Sequence, residues 1–380
     1  MPLAWVPLQL QISRLKSENV QFITKADLME INRKNDSLSL SELEFERFLK
    51  VQQSLGKLVY FESHPFNVER KLDKYVIIQT PALVNVLRSF ITDEIFWPKK
   101  RKLRQIFCKL SQCGEISRKD LLKLWRQKPF DRLLPGDDVK EYIIYLFIHL
   151  DILVEPKRKD CSTVNSFLVP SMVKNVDNTP FFNETNIGQK TICLSFRLKL
   201  SGVPTALSFK LIGSALSIWP FKQMKHERRD FLFRKTVMRP CLFNNSAILC
   251  VDDDTELRLK VEDERIVVYL TNKTSMVDIS PDIAASIQEC LTSNLKRALL
   301  FYHSNMGKNI RASDIDKLFE REVGYVCQES HCLLPLSEVV AHNTDLSWKC
   351  GEKHDRKHAL YWVFDKVGFF SNTFRYMYQC

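Results

Sequence analysis

The sequence predicts an α+β protein, and three observations predict it. The first half alternates short amphipathic helices with brief β-rich runs. Beyond residue 190, strands with an apolar period of two dominate. Two apolar-striped segments, around Leu211 and Leu291, then read as helices packed on the sheet those strands form. At 380 residues and 45 % hydrophobic, the chain can bury a sizeable core spread over two or three domains.

The elements follow in order. "ITKADLMEINRK" and "SLSLSELEFERFLKVQQSLG" each carry a helix start: Thr24 stands three before Asp27 and Ser41 three before Glu44, the spacing at which two side chains cap backbone donors reciprocally. Gly56 ends the second helix as a left-handed stop. "KLVYFES" and "KYVIIQT" are β-rich, and Thr80-Pro81 reads as an N-cap and first helical residue. The helix it opens sets Leu83, Leu87, Phe90, Ile91 and Phe96 on one stripe. In "CGEISRKDLLKLWR" an extended piece after Gly114 precedes a helix capped by Ser117, with Leu121, Leu124 and Trp125 on its apolar face. "VKEYIIYLFIHL" stacks Val139, Tyr142, Ile143, Leu146, Phe147 and Leu150. "DILVEPKRKDCSTVNSFLVPSMV" then reads as two strands around a polar turn, which completes a winged-helix order.

Residues 176–190 are polar and read as a linker. After them "TICLSFRLKL" alternates Ile192, Leu194, Phe196, Leu198 and Leu200. A helix with Leu207, Leu211 and Leu216 follows, then strands in "FLFRKTVM", "NSAILCV", "TELRLKV" and "RIVVYLTN", the last two joined as a hairpin through Glu262, Asp263 and Glu264. "SPDIAASIQECLTSNLKRALLFY" is an amphipathic helix with Ile283, Ile287, Leu291 and Leu295 inward.

Several function classes are excluded or weakened by composition. No apolar stretch reaches the length of a membrane span, and the N-terminus lacks a basic n-region and a small-residue cleavage site, so a cytoplasmic protein is expected. Eleven cysteines, an odd number in a chain without a secretory signal, read as reduced thiols. No phosphate loop is present: Gly307-Lys308 is followed by Asn309, and no glycine stands five residues before it. Dinucleotide, nucleophile-elbow, zincin and kinase motifs are absent too, so neither an enzyme nor a nucleotide site is expected. A cysteine hydrolase centred on Cys327 or Cys350 would need a thiolate beside an imidazole, and no nucleophile motif surrounds either residue.

The net charge of +11 suits an anionic partner of any kind. Its densest run is "PKKRKLR", with Lys99, Lys100, Arg101, Lys102 and Arg104, readable as a phosphate-binding patch or as a solvated helix start after "FWP". A nucleic-acid-binding winged helix using this run and the basic helix from Lys119 to Lys128 is the alternative function. The Leu/Trp face of that helix argues against it.

Near the C-terminus, Cys327 and Cys332 form one close pair and Cys350 and His354 another, with His331 and His358 as substitute donors. Two such pairs brought together would give a tetrahedral structural zinc site. The other reading is buried thiols among solvated histidines, and the spacing, near but not on the commonest zinc patterns, does not choose between them.

Read in order, "LGKLVYFES", "VIIQTPALVNVLRSFIT", "FW", "GEISRKDLLKLW" and "ILVE…FLVPSM" resemble the C-terminal-of-Roc (COR) region of Roco proteins. "SGVPTALSFKLIGSAL" is similar to the start of that family's second subdomain, and "MPLAWVPLQLQI" to the segment that follows the GTPase domain. The likeness covers residues 1–310 well and the Cys/His tail more loosely. It implies a COR-like organisation: 1–50 a helical segment at the position after Roc, 51–175 a first subdomain with a winged helix, 190–310 a second subdomain, and 311–380 a Cys/His-containing module. It also implies a non-catalytic scaffold that forms a homodimer and couples a Roc-type GTPase to partner domains in intracellular signalling. The chain carries no Roc domain, leucine-rich repeats or kinase, so the resemblance implies either a piece of a longer Roco product or a COR protein acting in trans.

Overall fold

The computed structural model describes residues 2–35, 38–61, 72–157, 165–177, 191–199, 202–229, 234–262, 264–272, 279, 281–305, 311–326, 333–335, 347–349 and 355–357. The chain divides into two compact units, residues 1–108 with 116–153, and residues 109–115 with 154–380. The fold is mixed α+β with an antiparallel main sheet, as expected. The linker read at 176–190 lies mostly outside the described residues.

The first unit opens with α1 (Val6–Ser17), β1 (Phe22–Thr24), α2 (Lys25–Arg33) and α3 (Glu42–Ser54). The expected caps form: Thr24 Oγ1 accepts from Asp27 N at 3.0 Å, and Ser41 and Glu44 make a full capping box. These bonds satisfy first-turn amides that no helical carbonyl can reach. Ser41→Ala is expected to cost about 1 kcal/mol in urea unfolding; no measurable loss would remove the box from the stability of this helix. Gly56 stands at φ 67°. There Gly56 N bonds Gln53 O and Lys57 N bonds Gln52 O, the paired bonds of a Schellman stop. Leu8, Ile12, Leu28, Phe45, Phe48 and Leu49 then pack with Val76 and Ile78 into one cluster. Each such side chain contributes roughly 1.5–3 kcal/mol by leaving water.

Residues 72–149 supply β2 (Tyr75–Ile77), α4 (Thr80–Leu87), α5 (Arg101–Cys113), β3 (Glu115–Ser117), α6 (Arg118–Trp125), the single turn α7 (Phe130–Leu133) and α8 (Asp137–His149). β2 pairs antiparallel with β1. The described part of "KLVYFES", residues 57–61, contributes one bridge, Val59 to Ile77, where a strand was expected. The helix expected to run from Pro81 past Phe90 stops at Leu87, with Gln79 and not Thr80 at its N-cap. Its buried positions are Ala82 and Val86, continued by Phe90, one position out of phase with the Leu83–Leu87 stripe. The Asp93 carboxylate then accepts from Glu94 N and opens a separate 3-10 turn, Glu94–Phe96, which leaves Phe96 72 % exposed. Ser117 caps α6 through Asp120 N at 3.0 Å, as expected. Leu121, Leu124 and Trp125 are buried, and α8 buries Val139, Tyr142, Ile143, Leu146 and Phe147.

The second unit contains β4 (Ser166–Leu168), β5 (Thr191–Leu198), α9 (Thr205–Ile218), β6 (Gln223–Arg229), β7 (Arg234–Pro240), β8 (Ser246–Cys250), β9 (Thr255–Glu262), β10 (Arg265–Asn272), α10 (Pro281–Asn305) and β11 (Phe319–Val326). The short strands β12 (Leu333–Pro335), β13 (Ser347–Lys349) and β14 (Asp355–Lys357) follow. The six-stranded sheet runs β12-β11-β5-β10-β9-β8. The hairpin expected through Glu262 forms, with Glu262 opposite Arg265. Of the two strands expected around the polar turn, the first is one bridge, Val154 to Leu168. β11 pairs with β5 from Phe319–Leu198 to Tyr325–Ile192, so the sheet extends past residue 310 into the segment read as a Cys/His module.

Leu194, Phe196 and Leu198 of β5 join Leu257, Leu259, Ile266, Val268 and Leu270 under α9 and α10. The helices contribute Leu207, Leu211, Leu216, Ile287, Leu291 and Leu295, matching the stripes read from sequence. The opposite face is also covered at its centre, where Cys193, Ser195, Val267 and Tyr269 are buried. No helix among the described residues is long and apolar enough to cross a membrane.

Candidate functional site

Among the described residues a groove of about 800 Å³ in the first unit has built geometry. Its walls come from the end of α4, the turn before α5, the first turns of α5, and the loop between α6 and α7. Local chemistry explains this arrangement. α5 has a regular apolar stripe, Leu103, Ile106, Phe107 and Leu110, all buried, so its lysines and arginines are left on the solvent side. Trp97 stacks on Phe107 with centroids 5.6 Å apart and its indole N–H donates to Thr92 O at 3.3 Å, fixing the turn that carries Lys99 and Lys100. On the other side Trp125 Nε1 donates to Ser89 Oγ at 2.8 Å, which ties α6 to the end of α4.

The floor is apolar, made by Leu103, Phe107 and Leu124, and Phe96 and Phe130 stand at its edges. The rim is cationic: Arg88, Lys99, Lys100 and Lys128 line the groove, and no carboxylate does. All four cations are exposed, and none has an ion-pair partner among the described residues. Arg104 differs, since it reaches Glu94 Oε1 at 3.2 Å and lies 5.7 Å from the Trp97 ring centroid.

No family model matches the chain, and no curated protein matches it either. The functional reading therefore rests on residues and geometry.

Of the basic run, the structure brings Lys99 and Lys100 into the groove and sets Arg101, Lys102 and Arg104 exposed on the first turn of α5, the solvated helix start that the sequence allowed. Arg88 and Phe130 were not singled out from sequence, Phe96 was read as part of an inward helical stripe, and Lys128 stood only at the end of the basic helix of the alternative function; they reach the groove through tertiary packing and form no local run. Cys327, His331, Cys332, Cys350, His354 and His358 lie outside the described residues. Among the described residues no group of three or more His, Cys, Asp or Glu side chains is placed to hold a metal ion. Burial pushes the Cys113 thiol up, pushes Cys241 up to about 12, and raises Cys193 further still. These thiols stay protonated at neutral pH, which makes them poor nucleophiles.

Proposed function

We propose that the chain is a non-catalytic scaffold and dimerisation module resembling the COR region of Roco proteins. It would couple a Ras-like Roc-type GTPase, in the same polypeptide or in trans, to partner domains inside the cell. The observation that carries this reading is the ordered set of motifs from "LGKLVYFES" to "SGVPTALSFKLIGSAL". Two further observations support it. In this reading residues 1–60 and the Pro81 helix pack on the GTPase, and six of the eleven large apolar side chains exposed among the described residues, Leu3, Leu10, Leu38, Leu43, Val51 and Leu55, fall within residues 1–60. The helix-rich first unit and the antiparallel sheet covered by α9 and α10 also suit a two-subdomain scaffold.

The test is light scattering of the purified chain, alone and with a Roc-type GTPase domain loaded with GDP or a non-hydrolysable GTP analogue. A dimer mass and a nucleotide-dependent complex are expected. A monomer that binds neither form, or robust GTP hydrolysis by the chain alone, overturns the reading. Elemental mass spectrometry on the same sample decides the tail: one zinc per chain supports Cys327, Cys332, Cys350 and His354 as a structural site, and none returns the cysteines to buried thiols and His354 to solvent.

A further inference from the structure

The groove between α4, α5 and the α6–α7 loop combines three properties that together specify a ligand. Its rim holds four cations, Arg88, Lys99, Lys100 and Lys128, from three separate stretches of chain, with no lining carboxylate to offset them. Its floor is a continuous apolar surface of Leu103, Phe107 and Leu124. At its mouth Phe96 is 72 % exposed and the neighbouring Ile95 80 % exposed, although both sit in a turn fixed by the Asp93 cap. Crowded like charges are relieved by an anionic partner, and an exposed aromatic beside an apolar floor gains from covering by an apolar one.

We infer that this groove docks an acidic amphipathic segment of a partner protein, an apolar side chain seated on the Leu103–Leu124 floor and flanking carboxylates paired with the rim. A volume of about 800 Å³ takes a few side chains of such a segment. Single-stranded nucleic acid fits less well. It needs a track of successive exposed rings for stacking, and of the three rings lining the groove Phe107 is buried and Phe130 partly buried, which leaves Phe96 alone exposed. The hydroxyl nearest the floor, Ser89 Oγ, is already engaged by Trp125 Nε1 and by Val86 O. The inference does not rest on the GTPase-scaffold reading and stands or falls separately from it.

The test pans a random peptide display library, of roughly fifteen-residue inserts suited to a groove-bound helix, against the full chain and against two variants, Lys99→Glu/Lys100→Glu and Phe96→Ser. All three altered residues are exposed, so folding is retained, as circular dichroism would check. Peptides enriched on the native chain are expected to be acidic with at least one Leu or aromatic residue. Their affinity by fluorescence anisotropy should fall roughly ten-fold or more in each variant and weaken as salt rises. Enriched peptides without net negative charge, equal enrichment on the variants, or no enrichment at all would overturn the proposal. Oligothymidylate and phosphatidylserine vesicles serve as parallel probes. Tighter binding of either than of the selected peptides, lost in the same variants, would also overturn it and transfer the groove to nucleic acid or membrane.

Discussion

Asp177→Ala is expected to destabilise the second unit by about 3–5 kcal/mol, the cost of stranding a buried charge. The Asp177 side chain is fully buried and that of Arg258 only 11 % exposed. One carboxylate oxygen, Asp177 Oδ2, accepts from Arg258 Nη2 at 2.6 Å, from Arg258 Nε at 3.1 Å and from Ser246 Oγ at 2.7 Å. Arg258 projects from β9 on the face opposite Leu257 and Leu259, and Ser246 begins β8. The cluster therefore ties the segment after β4 to the sheet edge. Neighbouring bonds, Asn244 N to Asn175 O and Lys174 N to Ser111 O, continue the same seam. Removing the carboxylate takes the buried anion away from the guanidinium, and removing Arg258 leaves the buried carboxylate the Ser246 hydroxyl but not this cation. Each single variant should thus lose nearly the full amount, while Asp177→Ala with Arg258→Ala should lose much less than the sum. Urea denaturation of the two single variants and the double variant measures this. Losses that add, or a single loss within ~1 kcal/mol of zero, would show that the pair is no more than a surface bridge.

What could be read from sequence here was chemistry that acts over a few residues. Thr24, Ser41 and Ser117 all cap as expected, because the donor to be satisfied lies three positions downstream whatever the rest of the fold does. The stripes of α9 and α10 were legible for a similar reason: a helix face buried against a sheet forces its own period on the text. Elements whose pattern is ambiguous were missed. α1 was covered only by the helical segment 1–50 that the resemblance implied, because "LQLQI" has no helical period of its own; it buries Leu8 and Ile12 one helical turn apart and places Pro7 in the first turn, where no helical bond is lost. β11 hides behind its charges: Arg321 interrupts the inward series of Phe319 and Val323, so the alternation fails just where the strand joins β5. The groove was half legible. Lys99 and Lys100 stand in a conspicuous run, but Arg88, Phe96 and Lys128 meet them only because Trp97 packs on Phe107 and Trp125 bonds Ser89.

Gly114→Ala is expected to cost about 3 kcal/mol and Gly56→Ala only about 1, although both glycines adopt the same backbone conformation. Their φ angles are 68° and 67°, and each follows the end of a helix, α5 and α3 respectively. An L side chain in this left-handed region loses roughly 1–2 kcal/mol, partly recovered because alanine restricts the unfolded chain. At Gly56 nothing lies within 4 Å of the added Cβ, so the backbone cost is all that remains. At Gly114 the Cβ would stand 2.7 Å from Val173 Cγ2, 3.1 Å from Leu242 Cδ2 and 3.3 Å from Val169 O. Relief by movement is restricted there, because Gly114 O accepts from Val169 N at 2.7 Å and Lys174 N bonds Ser111 O at 3.0 Å, so backbone on both sides is held. The difference between the two variants in denaturant midpoints isolates the packing contribution from the backbone one. Equal losses would mean that conformation alone decides and that the 109–115 segment yields freely against Val173 and Leu242. Asparagine sharpens the contrast: it tolerates the left-handed region, so Gly56→Asn should be milder than Gly56→Ala, whereas the larger side chain should make Gly114→Asn the worst of the four.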